Sequence, residues 1–339
     1  MSERTKYLLK IILHRIALFP LVEYFLANWI GPCAIFCLHR VLPDDQVLFD
    51  QGPLQNLALS ESNFYKLIKF LSDHYQIVSI DELVSHLESG SKEQVVCLTF
   101  DDGYHDNLSH ALPILEHFNA PATIFITTSF IDNDSGIWWY KLWHHIERKD
   151  NLELEYDNTL RKWDCLSKTQ KNRCYSDLHT LMMGFSLKQQ NAMLGSIKGM
   201  GEVEEHNVPC LDWDDIQLLD KHPLITIGAH TTHHSILSAE NEENARLEII
   251  KSKQLLESYL EHPVEHFAYP FGTLKQAGLR EYKLAEECGF KTASTTCCFR
   301  ANVKHFYNLP RYGVTDSISP VRIKTRMGGL SNFLGKQLE

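Results

Sequence analysis

Apolar residues along this chain gather in short unbroken runs separated by longer stretches of helical period. The runs are Ala34-Ile35-Phe36-Cys37-Leu38, Val95-Val96-Cys97-Leu98-Thr99-Phe100, Ala122-Thr123-Ile124-Phe125-Ile126-Thr127, Leu224-Ile225-Thr226-Ile227-Gly228 and His266-Phe267-Ala268-Tyr269. A run of this kind bounded by turn formers reads as a strand buried on both faces, as in a parallel sheet. Residues 61–75 carry Phe64, Leu67, Ile68 and Leu71 at helical spacing, with Ser60 placed to cap them. Further helices are expected over 81–87, 104–118 (interrupted at Pro113), 213–220 behind Asp212, 240–260 and 276–287. Minor strands over 76–80, 291–296 and 306–314 bring the total to roughly seven or eight. Strands alternating with helices imply right-handed βαβ units closing into an α/β fold, a (β/α) barrel.

The rhythm breaks between 131 and 208. That stretch is polar and helical in period, has no run resembling a core strand, and opens on Trp138, Trp139, Tyr140 and Trp143. It is expected to be a lid or satellite subdomain inserted into the barrel. Before the first strand, residues 8–30 are rich in Leu, Ile and Phe, but Lys10, Arg15, Pro20 and Glu23 interrupt them. No uncharged stretch approaches the roughly eighteen residues of a membrane span, and the charges invade what would be the core of a signal peptide. Lys6, Lys10 and His14 recur at four-residue spacing, so residues 1–30 are expected to form an amphipathic helix packed on the domain. Peripheral contact with the inner membrane face is the alternative. The chain thus divides into 1–30, a main domain over 31–320 and a tail over 321–339.

Composition adds exclusions. A formal net charge of −10 argues against a nucleic-acid partner, which needs a basic face. Nine cysteines, an odd number without framework spacing, suit a reducing compartment, and the cytoplasm is the expected location.

Candidate chemistry begins where the run ending at Phe100 meets Asp101-Asp102-Gly103. Strand carboxyl ends are where α/β folds place ligands. Adjacent carboxylates repel unless something offsets their charge, and a metal ion does so; an ordinary Asp-Gly turn is the plain alternative. Downstream, Gly228-Ala229-His230-Thr231-Thr232-His233-His234 places three histidines within five residues. One helical turn after the strand would put His230 and His234 on one face; His230 with His233 is the other pair. Two imidazoles and one carboxylate supply three ligands and leave room for water, the open arrangement of a catalytic metal site.

Thr99-Phe100-Asp101-Asp102-Gly103 together with His230-Thr231-Thr232-x-His234 resembles the first two motifs of the polysaccharide deacetylases, the family of the NodB homology domain. Phe267-Ala268-Tyr269-Pro270-Phe271-Gly272 resembles the third motif in its FAYPYG variant, and Leu309-Pro310-Arg311 a late element of that variant. The likeness covers about residues 34–128 and 209–315. It implies a distorted (β/α)7 barrel and a metal-dependent N-deacetylase acting on an N-acetylated saccharide. Asp102, His230 and His234 resemble the metal triad and Asp101 the general base. Tyr269, Pro270 and Phe271 resemble the substrate and oxyanion segment, the backbone N–H of Phe271 facing the oxyanion. The metal is expected to be Zn²⁺, although the donor set also accepts Co²⁺, Ni²⁺ or Fe²⁺.

Two departures qualify the resemblance. The usual third motif carries an arginine that orients the base; Ala268 stands there, and Arg311 is the candidate to supply the charge. The family's late histidine is not evident, so His39, at the end of the first strand, is the candidate proton donor, with His305 a weaker one. The aromatics opening the insertion either anchor it or stack on sugar rings. A carbohydrate-binding relative without catalysis and an amidase for a non-sugar amide are the competing readings.

Overall fold

Strands β1 (Cys33–Leu38) and β5 (Val95–Phe100) are buried at every position, as unbroken apolar runs must be when both faces of a parallel sheet are covered. The structure, a computed structural model, describes residues 33–49, 53–131, 137–156, 159–197, 208–297, 301–316 and 323. The expected N-terminal helix and nearly all of the 321–339 tail fall outside the described residues. The remaining strands are β2 (Arg40–Leu42), β3 (Ala58–Ser60), β4 (Gln76–Ile77), β6 (Ala122–Ile126), β7 (Asn151–Tyr156), β8 (Thr159–Asp164), β9 (Ile225–Ala229), β10 (His266–Ala268), β11 (Thr292–Ser294) and β12 (Tyr312–Gly313).

The main sheet runs β11-β10-β9-β6-β5-β1-β12, every pairing parallel, with β4 beside the start of β5. The strip 306–314 then joins the two ends. Ala293 N–H donates to Phe306 O, Leu309 N–H to Ala293 O and Thr295 N–H to Leu309 O, while Val314 N–H donates to Cys37 O on β1. The sheet therefore curls round on itself as a distorted (β/α) barrel, although regular pairing in the strip is confined to Tyr312–Gly313 rather than 306–314. Gly228 permits the tight approach of β6, β9 and β10: an added Cβ would lie 2.5 Å from the Phe125 ring and 3.0 Å from His266 O. The register of β1 on β5, from Cys33↔Val95 to Leu38↔Phe100, brings both strands to the same rim together. The residues immediately beyond them, His39 and Asp101, emerge side by side.

The helix Glu61–His74 buries Phe64, Leu67, Ile68 and Leu71 as its spacing predicts. Ser60 makes no side-chain cap, however, because its hydroxyl donates to Asp316 Oδ1 at 3.0 Å. The helix expected over 104–118 is split into a π turn, Asn107–Ala111, and an α-helix, Leu112–His117. Pro113 has no N–H to give to the preceding turn, and a widened turn absorbs the defect.

The insertion departs from expectation. It contains an antiparallel hairpin, β7 with β8, paired from Asn151↔Asp164 to Tyr156↔Thr159. Strand β7 alternates, with Leu152 and Leu154 buried between exposed Asn151, Glu153 and Glu155. That is the period of a half-buried strand, which a reading tuned to unbroken apolar runs passes over. The insertion packs through an apolar cluster of Trp138, Trp143, Leu152, Leu154, Leu178 and Met182 that also takes in Leu54, Tyr104 and Phe130 from the rim of the barrel, separate from the barrel core around Phe36, Leu98 and Ile124. Among the described residues no helix is long and apolar enough to cross a membrane.

Candidate active site

At the end of β5 the backbone turns through Asp102 (φ 77°) and Gly103 (φ 81°). The left-handed region costs a non-glycine residue on the order of 1 kcal/mol or more, and it persists where the surroundings hold it, often at functional sites. At the end of β9, Thr231 (φ 65°) and His234 (φ 54°) are also left-handed. His230 and His234 therefore converge through an irregular turn, not through the helical turn expected from their spacing. His233 faces away: its ring and its backbone N–H bond to Glu248 at 2.7 and 2.9 Å, which ties the loop to the helix Glu242–Leu260.

His230 Nδ1 donates to the Ala268 carbonyl at 2.8 Å, a bond that puts the proton on Nδ1 and leaves Nε2 as a lone pair. The Nε2 atoms of His230 and His234 stand 3.4 and 3.3 Å from Asp102 Oδ1. Neither meets hydrogen-bond geometry, so Oδ1 is a buried oxygen without a partner. One ligand atom from each of the three residues lies within 4.8 Å of the others. Burial pushes the His234 imidazole down, against the pull of Asp102, and so favours its neutral, ligating form. Burial would raise the Asp102 carboxyl, and only protonated imidazoles at His234 and His230 would hold it well below the usual carboxylate range. An orphaned buried carboxylate oxygen facing the Nε2 atoms of two imidazoles, that of His230 left as a lone pair in the neutral ring, fits a divalent cation.

Asp101 is held differently. Arg311 Nη1 donates to Oδ1 at 2.6 Å and Nη2 to Oδ2 at 2.7 Å, a two-pronged grip. The guanidinium is fully buried, lies over the Phe125 ring, and directs further donors at Thr295 O and Thr99 Oγ1, both at 3.1 Å. Cys37 Sγ adds a contact to Asp101 Oδ2 at 3.3 Å. Burial alone would raise the Asp101 carboxyl; the charge and hydrogen bonds of Arg311 bring it below its ordinary value. Ala268 gives its carbonyl to His230, while its methyl packs in the cluster of Phe125 and Leu309.

These groups open on a cavity of about 340 Å³. His39, Asp101, Asp102, His230, His234, Phe271 and Thr296 line it from the barrel, Pro53, Leu54 and Leu57 from the turn after β2, and Trp139, Tyr175 and His179 from the insertion. His305 is not among the lining residues. Of the expected substrate segment only Phe271 reaches the cavity: it is left-handed (φ 60°), with its ring 4.8 Å from that of His234. Pro270 does not line it. Tyr269, expected there too, is a core residue whose hydroxyl donates to Tyr307 O at 2.9 Å and whose ring packs on Phe267 and Tyr282. Phe267-Ala268-Tyr269 alternates across the strand end, which turns Tyr269 outward toward the helix Leu279–Glu287.

A family model for polysaccharide deacetylases matches residues 88–293, more than half of the chain. The chain belongs to the polysaccharide deacetylase family. Its relatives include the poly-beta-1,6-N-acetyl-D-glucosamine N-deacetylase of Staphylococcus epidermidis, 26% identical over 43% of this chain and 49% of the relative. The enzyme of that name from Staphylococcus aureus is 24% identical over 45% and 49%. The chain thus spans half or less of the length of the curated relatives it matches. Among solved structures, the Streptococcus pyogenes deacetylase PplD in complex with acetate has a TM-score of 0.58 at 16% identity, covering 87% of this chain and 97% of that one. IcaB from Ammonifex degensii has a TM-score of 0.55 at 15% identity, covering 88% and 97%. At these identities the likeness establishes the deacetylase fold. His39 and Arg311 both lie outside the stretch that the family model matches, and it is the folding of this deacetylase-family chain that carries them to the site.

Sequence reasoning gave no role to Tyr175, His179 or Cys37, and named Thr99 only as part of the first motif. Tyr175 and His179 are four apart on the helix Lys168–Met182 and so share a face, but they sit beside the stripe of Cys174, Leu178 and Met182, which reads as packing alone. Of the three tryptophans singled out, Trp139 lines the cavity, whereas Trp138 and Trp143 belong only to the insertion's own cluster.

Proposed function

We propose that this chain is a metal-dependent N-deacetylase that removes the acetyl group from an N-acetylated amino sugar in a glycan. The observation that carries the reading is the unpartnered Asp102 oxygen facing His230 and His234, next to an Asp101 gripped by a buried arginine. The names of the staphylococcal relatives support a hexosamine substrate.

Asp102, His230 and His234 would hold the cation, which we take to be Zn²⁺, with Co²⁺, Ni²⁺ or Fe²⁺ compatible with the same donors. When bound, such a cation lowers the pKa of water toward about 7 and polarises a carbonyl. Asp101 accepts the proton of the attacking water. Arg311 fixes both carboxylate oxygens of Asp101 and keeps it ionised, so the base is aimed before the substrate arrives. The Phe271 N–H, unused by the hydrogen bonds of its own turn, faces the oxygen that gains charge as the carbonyl carbon becomes tetrahedral. His39 hands a proton to the nitrogen as the C–N bond breaks, and acetate and a free amine leave.

Acetate release from N-acetylated saccharides, measured with and without a chelator, tests the reading. Release that the chelator abolishes and the cation restores is expected. Saccharide binding without release would establish a carbohydrate-binding relative instead. Release from simple N-acetyl amides but not from sugars would establish an amidase.

A further inference from the structure

The helix Lys168–Met182 works on two faces. Tyr175 and His179 look into the cavity, while Cys174, Leu178 and Met182 are buried in the insertion's cluster. The same helix packs on the turn Pro53–Leu57, and Leu54 of that turn shares a cluster with Trp139 and Tyr175. The insertion, which leaves the barrel after β6, therefore reaches across the rim to the loop after β2. A polymer bound by its interior needs an exit on each side of the reacting residue, and this bridge stands across one side of the rim. The space it borders, about 340 Å³ and partly open to solvent, is at the small end of the ~300–1,000 Å³ typical of ligand sites.

The lining suits one sugar ring. Trp139 and Phe271 offer flat apolar surfaces to its C–H faces. The His179 ring is set between Trp138 and Tyr175, with centroids at 5.3 and 5.5 Å, so its orientation is fixed. Burial lowers its imidazole below the ordinary range, leaving one donor and one acceptor nitrogen at neutral pH, the complement of a hydroxyl.

We propose that the insertion makes this a chain-end site, which accepts one N-acetylated sugar residue at a glycan terminus or in a short saccharide, with His179, held against Tyr175, as the specificity-determining side chain. The proposal rests on the deacetylase reading above. The test uses the full chain with N-acetylglucosamine and its linear oligomers up to the pentamer, labelled at the reducing end and read by mass spectrometry. Loss of a single acetyl group, mapped to a terminus, is the expected product. In the Asp101→Asn protein, dissociation constants for monomer and pentamer should agree within about threefold, since added residues lie outside the cavity. Interior or multiple deacetylation, or affinity rising about tenfold or more with length, overturns the chain-end proposal and leaves the deacetylase reading standing. No acetate from any saccharide overturns both.

For that side chain, His179→Ala should raise KM about tenfold with kcat within about threefold, as for one lost hydrogen bond to substrate. His179→Gln, which keeps a donor and an acceptor, should recover part of it. A fall in kcat and Tm together, unrelieved by glutamine, would make His179 a packing residue and overturn its role.

Discussion

Among the described residues three groups have metal-like donor spacing; in one, Cys37–His39–Asp101, the carboxylate is gripped by Arg311, and the other two, histidine–carboxylate triads at opposite ends of this barrel, are by spacing equivalent. At the carboxyl ends of β5 and β9 are Asp102, His230 and His234; at the amino ends of β10 and β11 are Asp81, Glu265 and His266; in each set the ligand atoms lie within 4.8 Å of one another. Charge balance and access to water separate them. At the amino end Lys291 pairs with Glu265 and stands 3.9 Å from Asp81, and Asp81 is 55% exposed. At the carboxyl end all three residues are buried, and the buried cation nearby, Arg311, is committed to Asp101. A donor set that already has an ammonium and solvent gains little from a metal. One that is buried and has no ammonium carries a charge that an added cation would relieve. Spacing nominates metal sites; the uncompensated charge selects among them.

The largest effects should separate the two triads. Asp102→Ala, His230→Ala and His234→Ala should each lose bound metal and drop acetate release to background. His266→Gln should keep the metal content of the wild type. Elemental analysis of dialysed proteins reads both, and metal lost equally from both ends would dissolve the distinction.

Next comes the division between the adjacent aspartates. Asp101→Asn should retain metal while losing about 10²–10⁴-fold in turnover, the range for a general base. An emptied site in this variant, with a full one in Asp102→Ala, would reverse the two roles.

Arg311 ranks third. Arg311→Lys keeps the charge but not the fork, and turnover should fall by about tenfold or more. Arg311→Ala strands a buried carboxylate at a cost of about 3–5 kcal/mol. The sign of the pH dependence checks this. In the wild type the folded Asp101 carboxyl lies below its unfolded value, so its contribution is present above about pH 4 and is lost as pH falls through the folded value. Without Arg311, burial lifts the folded value above the unfolded one, and that contribution is present at low pH and lost as pH rises. The Tm gap between wild type and Arg311→Ala should therefore narrow from pH 7 toward pH 4, and the acid limb of kcat/KM should move up. A constant gap would show that Arg311 contributes packing alone.

How much of this was legible in the sequence depends on the kind of signal involved. The buried runs gave the strand ends, and adjacent carboxylates and clustered histidines at two of them nominated the site. Arg311 could be anticipated because Ala268 left a carboxylate without a cation. The turn that brings His230 to His234 was not legible, since left-handed Thr231 and His234 have no propensity that announces them. The hairpin β7–β8 was written in alternation rather than in runs, and Tyr175 and His179 on a polar helix. The surroundings of the chemistry were therefore harder to read than the chemistry itself, because packing between distant segments such as Leu54 and Tyr175 leaves no local pattern.

The smallest effect tests the comparison at its weaker end. Lys291→Met removes the ammonium that Glu265 and Asp81 share. Half-exposed pairs of this kind contribute up to about 1 kcal/mol, so the fall in Tm should be slight, and activity should be unchanged because the cluster lies at the far end of the barrel. The variant also leaves His266, whose Nε2 stands 3.3 Å from Asp81 Oδ1, among carboxylates with no resident cation. That is the condition found around Asp102, softened by solvent. Added Zn²⁺ should therefore restore the lost Tm in Lys291→Met and not in the double variant Lys291→Met/His266→Gln. In the wild type it should bind at the active-site triad alone. A second zinc equivalent in the wild type, lost on His266→Gln, would mean that the lysine is no substitute for a metal, and that charge balance is the wrong criterion for telling the two triads apart.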